Sequence, residues 1–230
     1  MFFPIFDPTM VLLIPAILLA LWAQSKVKRA YNKFSKIANT SGLTGAQVAR
    51  RILDRFGLQD VEVRATNGML SDHYDPMKRV VVLSEANYSR NSIAALAVAA
   101  HEVGHAIQHA KGYAMLKIRG ALAGPVQFGS FLAWPIVIIG FLFSSPALID
   151  AGIILFSLVV AFHMVTLPVE FDASRRAIAI LNTDGYIQPV ESEGAKKVLD
   201  AAAWTYVAAA AGAVLTLLRL VLLRGMISSD

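Results

Sequence analysis

Apolar residues gather into four long blocks along the chain, near residues 8–24, 125–143, 151–168 and 201–223. Each block can cross about 30 Å of hydrocarbon as a helix, a task that takes roughly 17–25 mostly apolar residues. Between the first two blocks the pattern changes. "SGLTGAQVARRILDRFGL" repeats apolar positions at helical spacing, with Thr44 placed as an N-cap and Gly57 just past the end, and so predicts a helix over 45–56. "VEVRA" and "RVVVLSE" are β-branched runs that predict two short strands, and "TNGMLSDHYDPMK" between them is rich enough in turn residues to predict a loop. The alanine-rich run from Ser92 to His109 predicts a second helix, and an amphipathic connector, "KGYAMLKIRG", leads into the block at 125–143. Beyond the third block "EFDASRRAIAILN" keeps a helical pattern and should extend that span, while "NTDGYIQPVESEG" reads as a loop before the last block. No internal repeat is present.

Composition moves this pattern toward the membrane. At 56% hydrophobic and 16% charged residues, the chain is more apolar than an ordinary soluble domain of its 230 residues. The first block has no positive charge before it, whereas Lys26, Lys28, Arg29, Lys33 and Lys36 follow it, so it reads as an uncleaved anchor. Lysine and arginine favour the cytoplasmic side, which places residues 25–123 inside and both termini outside. Of the 21 Lys and Arg residues all but Arg219 and Arg224 then lie inside, and those two can snorkel to the headgroups at the far end of the last span. The net charge of +5 is explained by topology and anionic lipid, so no nucleic-acid partner is expected. With no cysteine, a disulfide framework, a thiolate metal site and a cysteine nucleophile are all excluded.

The chemistry sits in "ALAVAAHEVGHAIQHA". His101 and His105 lie one helical turn apart and present two imidazoles to one point, with Glu102 beside them. Imidazole is a standard zinc ligand, and a catalytic zinc takes three protein ligands plus a water that a neighbouring carboxylate can deprotonate. The apolar neighbours Ala99, Ala100, Val103 and Ile107 argue against a merely solvated histidine pair, because an unpaired glutamate among them is costly. His109 lies about 12 Å along the axis from His101, too far to share one ion with both histidines. Position 111 is Lys111, which excludes the metzincin pattern. A carboxylate from a later helix remains: Glu170 at the inner end of the third span returns to the same side of the membrane, with Asp172 as the second candidate, since only one of them can face the ion. Alternatively, Glu170 pairs with Arg175 or Arg176. His163, inside the third span, reads as a helix-to-helix hydrogen bond.

"AAHEVGHAIQHA", "LPVEFDASRRA", "LSDHYDP" and "VVLSEANYSRNSIAALAVAAHEVGHA" together resemble the YugP-like family of bacterial membrane zinc metallopeptidases over nearly the whole chain. More distantly the chain is similar to gluzincin membrane proteases such as HtpX and the CAAX prenyl endopeptidases. That resemblance implies Glu170 as the third ligand. In the wider group an aspartate four residues later orients a zinc histidine, but here that residue is Ser174, so Ser174, Asp172 or Asp72 takes the task. The resemblance also implies that "RVVVLSE" is the edge strand above the site, where a substrate would add as a further strand. His73, Tyr74 and Tyr88 are candidates for the additional oxyanion donor.

The expected fold is therefore a mainly α membrane protein: four transmembrane helices, a small cytoplasmic α+β zincin-like domain at 25–123, and a cytoplasmic helix and loop at 169–200 carrying the third ligand. The expected activity is that of a zinc-dependent endopeptidase of the bacterial inner membrane, with one zinc per chain. Its partners would be membrane lipid, membrane-associated protein or peptide substrates, and a protein regulating access. The rival readings are a non-catalytic membrane scaffold that keeps a metal site, and a metal-dependent hydrolase or metal-handling protein that does not cut peptides.

Overall fold

The structure, a computed structural model, describes residues 8–68 and 71–227. Part of the predicted loop, Met69 and Leu70, lies outside the described residues. After a 3-10 segment at Pro8–Leu13 come α1 (Ile14–Phe34), α2 (Gly45–Arg55), β1 (Glu62–Thr66), β2 (His73–Asp75), β3 (Val80–Ser84), α3 (Glu85–Ser89), α4 (Ile93–Ala110), α5 (Ala114–Leu142), α6 (Pro146–Thr183) and α7 (Pro189–Ile227). Among the described residues the chain is mostly helical, with one small sheet and four helices long and apolar enough to cross a membrane.

Helix and apolar block are not coextensive. α5 and α6 run through Pro125 and Pro168, where the apolar blocks were expected to begin and end. Residues 114–120 of the amphipathic connector form the first turns of α5, with 111–113 left as the turn after α4, and "PVESEG", read as loop, opens α7. Apolarity marks what can lie in lipid, whereas the helix itself continues until a turn stops it. For α6 that turn is at Gly185, whose φ of +68° is the left-handed conformation glycine adopts without a Cβ clash.

The chain divides into two compact units. One is formed by Met1–Ala23, Lys117–Pro168 and Thr205–Asp230, and its apolar packing includes Ala133, Val137, Phe156 and Leu220. The two arginines expected to snorkel at its end do not simply reach outward. Arg219 is buried and donates from Nε to Thr9 Oγ1 at 3.2 Å, and Arg224 donates to both carboxylate oxygens of Asp150 at 2.9 and 3.0 Å. A guanidinium among apolar helices is held by partners of this kind. His163 lies half-buried in this unit with its ring edge-on to Phe162.

The other unit, Gln24–Leu116 and Val169–Trp204, holds the sheet and the histidine helix. α2 starts where the sequence predicts: Thr44 Oγ1 accepts from Gln47 N and Gln47 Oε1 accepts from Thr44 N, a reciprocal capping box. Its apolar face, Val48, Ala49, Ile52 and Leu53, packs in one core with Leu96, Ala100, Val103 and Ile107 of α4, Val81 and Leu83 of β3, and Ala177 and Leu181 of α6. α4 is started by Ser92, whose side chain accepts from Ala95 N at 3.1 Å.

The sheet corrects one expectation. Its order is β1-β3-β2, with β1 parallel and β2 antiparallel to β3, so "RVVVLSE" forms the central strand and not the edge. The missed strand is β2, three residues within a stretch dominated by turn chemistry. Asp75 Oδ1 accepts from Met77 N and Lys78 N at 2.9 and 3.1 Å, and Arg79 takes a φ of +53°, which folds the chain back so that β2 covers β3.

Candidate metal centre

The α4 backbone places His101 and His105 one turn apart, and α6 brings Glu170 to them. Glu170 Oε2 lies 3.2 Å from His101 Nε2 and 3.6 Å from His105 Nε2, and one ligand atom from each of the three lies within 4.8 Å of the others. Tetrahedral zinc with bonds near 2.0–2.1 Å separates its donors by about 3.4 Å, so these three residues fit that ion. The Glu170 side chain is only 3% exposed. Glu102, at 8% exposure, is buried on the same helix between the two histidines in sequence.

Each imidazole is held from behind. Ser174 Oγ is 3.1 Å from His101 Nδ1, and Gln108 Oε1 is 3.0 Å from His105 Nδ1, leaving both Nε2 atoms toward Glu170. Outer partners of this kind fix which ring nitrogen is free to ligate. Of the alternatives, Ser174 therefore takes the contact behind His101. Asp172 is turned from the histidines: it accepts from Gln108 Nε2 at 2.9 Å, Arg175 at 2.7 Å and Arg176 at 2.5 Å. The arginines offered as partners for Glu170 thus pair with Asp172. Asp72 is used elsewhere, accepting from the backbone and hydroxyl of Ser84 and from Asn87 Nδ2.

The three candidate oxyanion donors diverge. Tyr74 on β2 reaches α4, with its hydroxyl 2.9 Å from His109 Nδ1. His73 is exposed and its Nδ1 lies 2.9 Å from Ser71 O, while Tyr88 packs half-buried against the apolar core. Gln108 escaped the sequence reading. The available signal was a glutamine three residues after the second histidine, on the buried side of an alanine-rich helix.

Close approach of α4 to α6 makes the site, and Gly104 permits it. A Cβ there would meet Ala173 O at 2.9 Å and Ala173 Cα at 3.3 Å, backbone atoms that cannot rotate aside. Gly104→Ala would gain up to about 1 kcal/mol of helix propensity. Overpacking of about 1–3 kcal/mol opposes that gain. We expect a lower melting temperature and reduced zinc retention, read by calorimetry and metal analysis; a stabilised variant with full zinc would show that the helices have room to spare.

Burial disfavours charge on His105, yet the hydrogen bond to Glu170 and the carboxylates of Glu102 and Glu170 hold its pKa above the ordinary imidazole value. A protonated imidazole cannot ligate, so zinc affinity should fall as pH drops through that raised value and recover above it. Chelator competition across a pH series measures this; a flat profile through the weakly acidic range would contradict it.

The fold and this cluster define a membrane-type helical protein with a His-His-Glu centre suited to zinc. Residues 9–225 match the family described as "Putative neutral zinc metallopeptidase", and the chain belongs to that family. It is 50% identical over 212 residues, 92% of this chain and 94% of the relative, to the "Putative membrane protease YugP" of Bacillus subtilis (strain 168). No solved structure matches the chain.

Proposed function

We propose that this protein is a gluzincin-type zinc endopeptidase that cleaves membrane-associated proteins or peptides at the cytoplasmic face of the bacterial inner membrane. The observation that carries the reading is the convergence of Glu170 Oε2 on both histidines of HEVGH, with Glu102 buried on the same helix. Family membership and the membrane-protease relative support it. His101, His105 and Glu170 would hold one zinc per chain. When bound, zinc supplies polarisation of the scissile carbonyl and a lowered pKa for water. Glu102 takes the proton of the attacking water and delivers it to the leaving amide nitrogen. Tyr74, His73 or Tyr88 donates to the developing oxyanion.

With β3 inside the sheet, β2 becomes the candidate edge for substrate, because Tyr74 ties it to α4 through His109. An extended peptide added there would use main-chain hydrogen bonds for register. The distribution of Lys and Arg supports the cytoplasmic placement of this unit and both termini outside. Lipid is the surrounding partner, a protein regulating access fits a protease that must not cut indiscriminately, and nucleic acid has no role.

Metal analysis of the detergent-purified chain, paired with cleavage of a membrane-bound or unfolded substrate, tests the proposal. Zinc together with chelator-sensitive cleavage supports it. Absence of zinc after chelator-free purification overturns the mechanism, and zinc without cleavage favours the scaffold reading.

A further inference from the structure

Every hydrogen-bonding atom of the Gln108 side chain is assigned by what surrounds it. Gln108 is 0% exposed on α4. Its Nε2 donates to Val169 O and to Asp172 Oδ2, each at 2.9 Å. A primary amide has two N–H donors, and these two acceptors use both. Turning the amide over would set its oxygen against a carbonyl and a carboxylate, so the orientation is fixed. Asp172 is itself anchored by Arg175 and Arg176. Gln108 Oε1 is then left facing His105 Nδ1 at 3.0 Å. An amide oxygen only accepts, so Nδ1 must carry the hydrogen, and in the neutral ring the lone pair falls on Nε2, the atom toward Glu170.

We propose that Gln108 is a positioning residue that fixes the tautomer and orientation of His105 for metal binding, with Asp172 and its two arginines anchoring the amide. This rests on the reading of His101, His105 and Glu170 as a metal centre. The arrangement differs from a carboxylate bonded directly to a ligating histidine. A neutral amide stands between them, so the ring is oriented without a further negative charge against it, and the charge of Asp172 is offset by the arginines.

The test uses the full chain in detergent. Zinc affinity is measured by chelator competition, and the absorption of the cobalt-loaded protein reports coordination. Gln108→Met keeps much of the volume and removes the hydrogen bonds; it should weaken zinc about 10–100-fold and alter the cobalt spectrum. Gln108→Glu should also weaken binding, because its carboxylate meets Val169 O and Asp172, which are acceptors. Adding Asp172→Asn supplies a donor to that carboxylate and should recover most of the lost affinity. A merely space-filling role for Gln108 would not make the second substitution restore what the first removed. If Gln108→Met fails to fold, the Gln108→Glu pair decides alone. Zinc affinity and cobalt spectra indistinguishable from wild type in the single variants would overturn the proposal, as would a double variant no better than Gln108→Glu. Wild type that binds no zinc would overturn the metal-centre reading itself, whereas wild type with zinc and unaffected variants would overturn only the role of Gln108.

Discussion

Glu102→Gln should keep zinc at the wild-type level while cleavage falls by about 10²–10⁴-fold, the range attributable to a positioned general acid–base. Glutamine has nearly the shape of glutamate, so the buried position is filled and α4 is undisturbed. The three residues that converge as a potential ligand set are His101, His105 and Glu170, without Glu102. On the proposed function, metal retention and proton transfer are carried by different side chains, and one substitution can separate them. The amide cannot take the proton of water, nor return it to the leaving nitrogen. Metal analysis and initial rates on the same preparation measure both halves. Full activity in Glu102→Gln would remove the proposed base, and loss of zinc would mean that Glu102 supports the site in a way its position does not suggest.

What the sequence displays depends on whether the information is local. HEVGH is legible because both imidazoles and the acid lie within five residues of one helix. Glu170 is legible at one remove, through the expectation that two membrane crossings return its helix end to the starting side. The choice between Glu170 and Asp172 was not local: it depends on the rotation of α6 against α4, which Gly104 and Ala173 set by close contact. Gln108 is local to the motif but chemically quiet. Its role comes from Val169 and Asp172 on another helix, so no spacing rule exposes it.

The sequence shows two of the three strands, β1 and β3, and misses β2 for a different reason. β2 has only three residues and is flanked by Asp, Pro and turn-forming positions, so its own composition speaks for a loop while pairing with β3 makes it a strand. The inversion of edge and centre follows from that one omission. Arg219 is a similar case in the other unit. A cation near the end of an apolar helix suggests snorkelling, and its turn inward becomes visible only with Thr9 in place, more than 200 residues away in the chain.

Glu170→Ala should lose most of its zinc, with a fall in affinity beyond the 10–100-fold that removal of an outer-shell partner typically costs. Alanine takes away both a donor atom and the negative charge that offsets a divalent ion, and it leaves two imidazoles where a catalytic site normally has three protein ligands. Asp172→Ala provides the contrast, because Asp172 touches Gln108 and two arginines instead of the histidines. Its effect should stay within the outer-shell range and track that of the Gln108 variants. Measuring the two side by side in folded protein separates ligand from support. Wild-type zinc in Glu170→Ala together with severe loss in Asp172→Ala would reverse the assignment, and would require α6 to turn so that the face now packed toward Gln108 meets the ion.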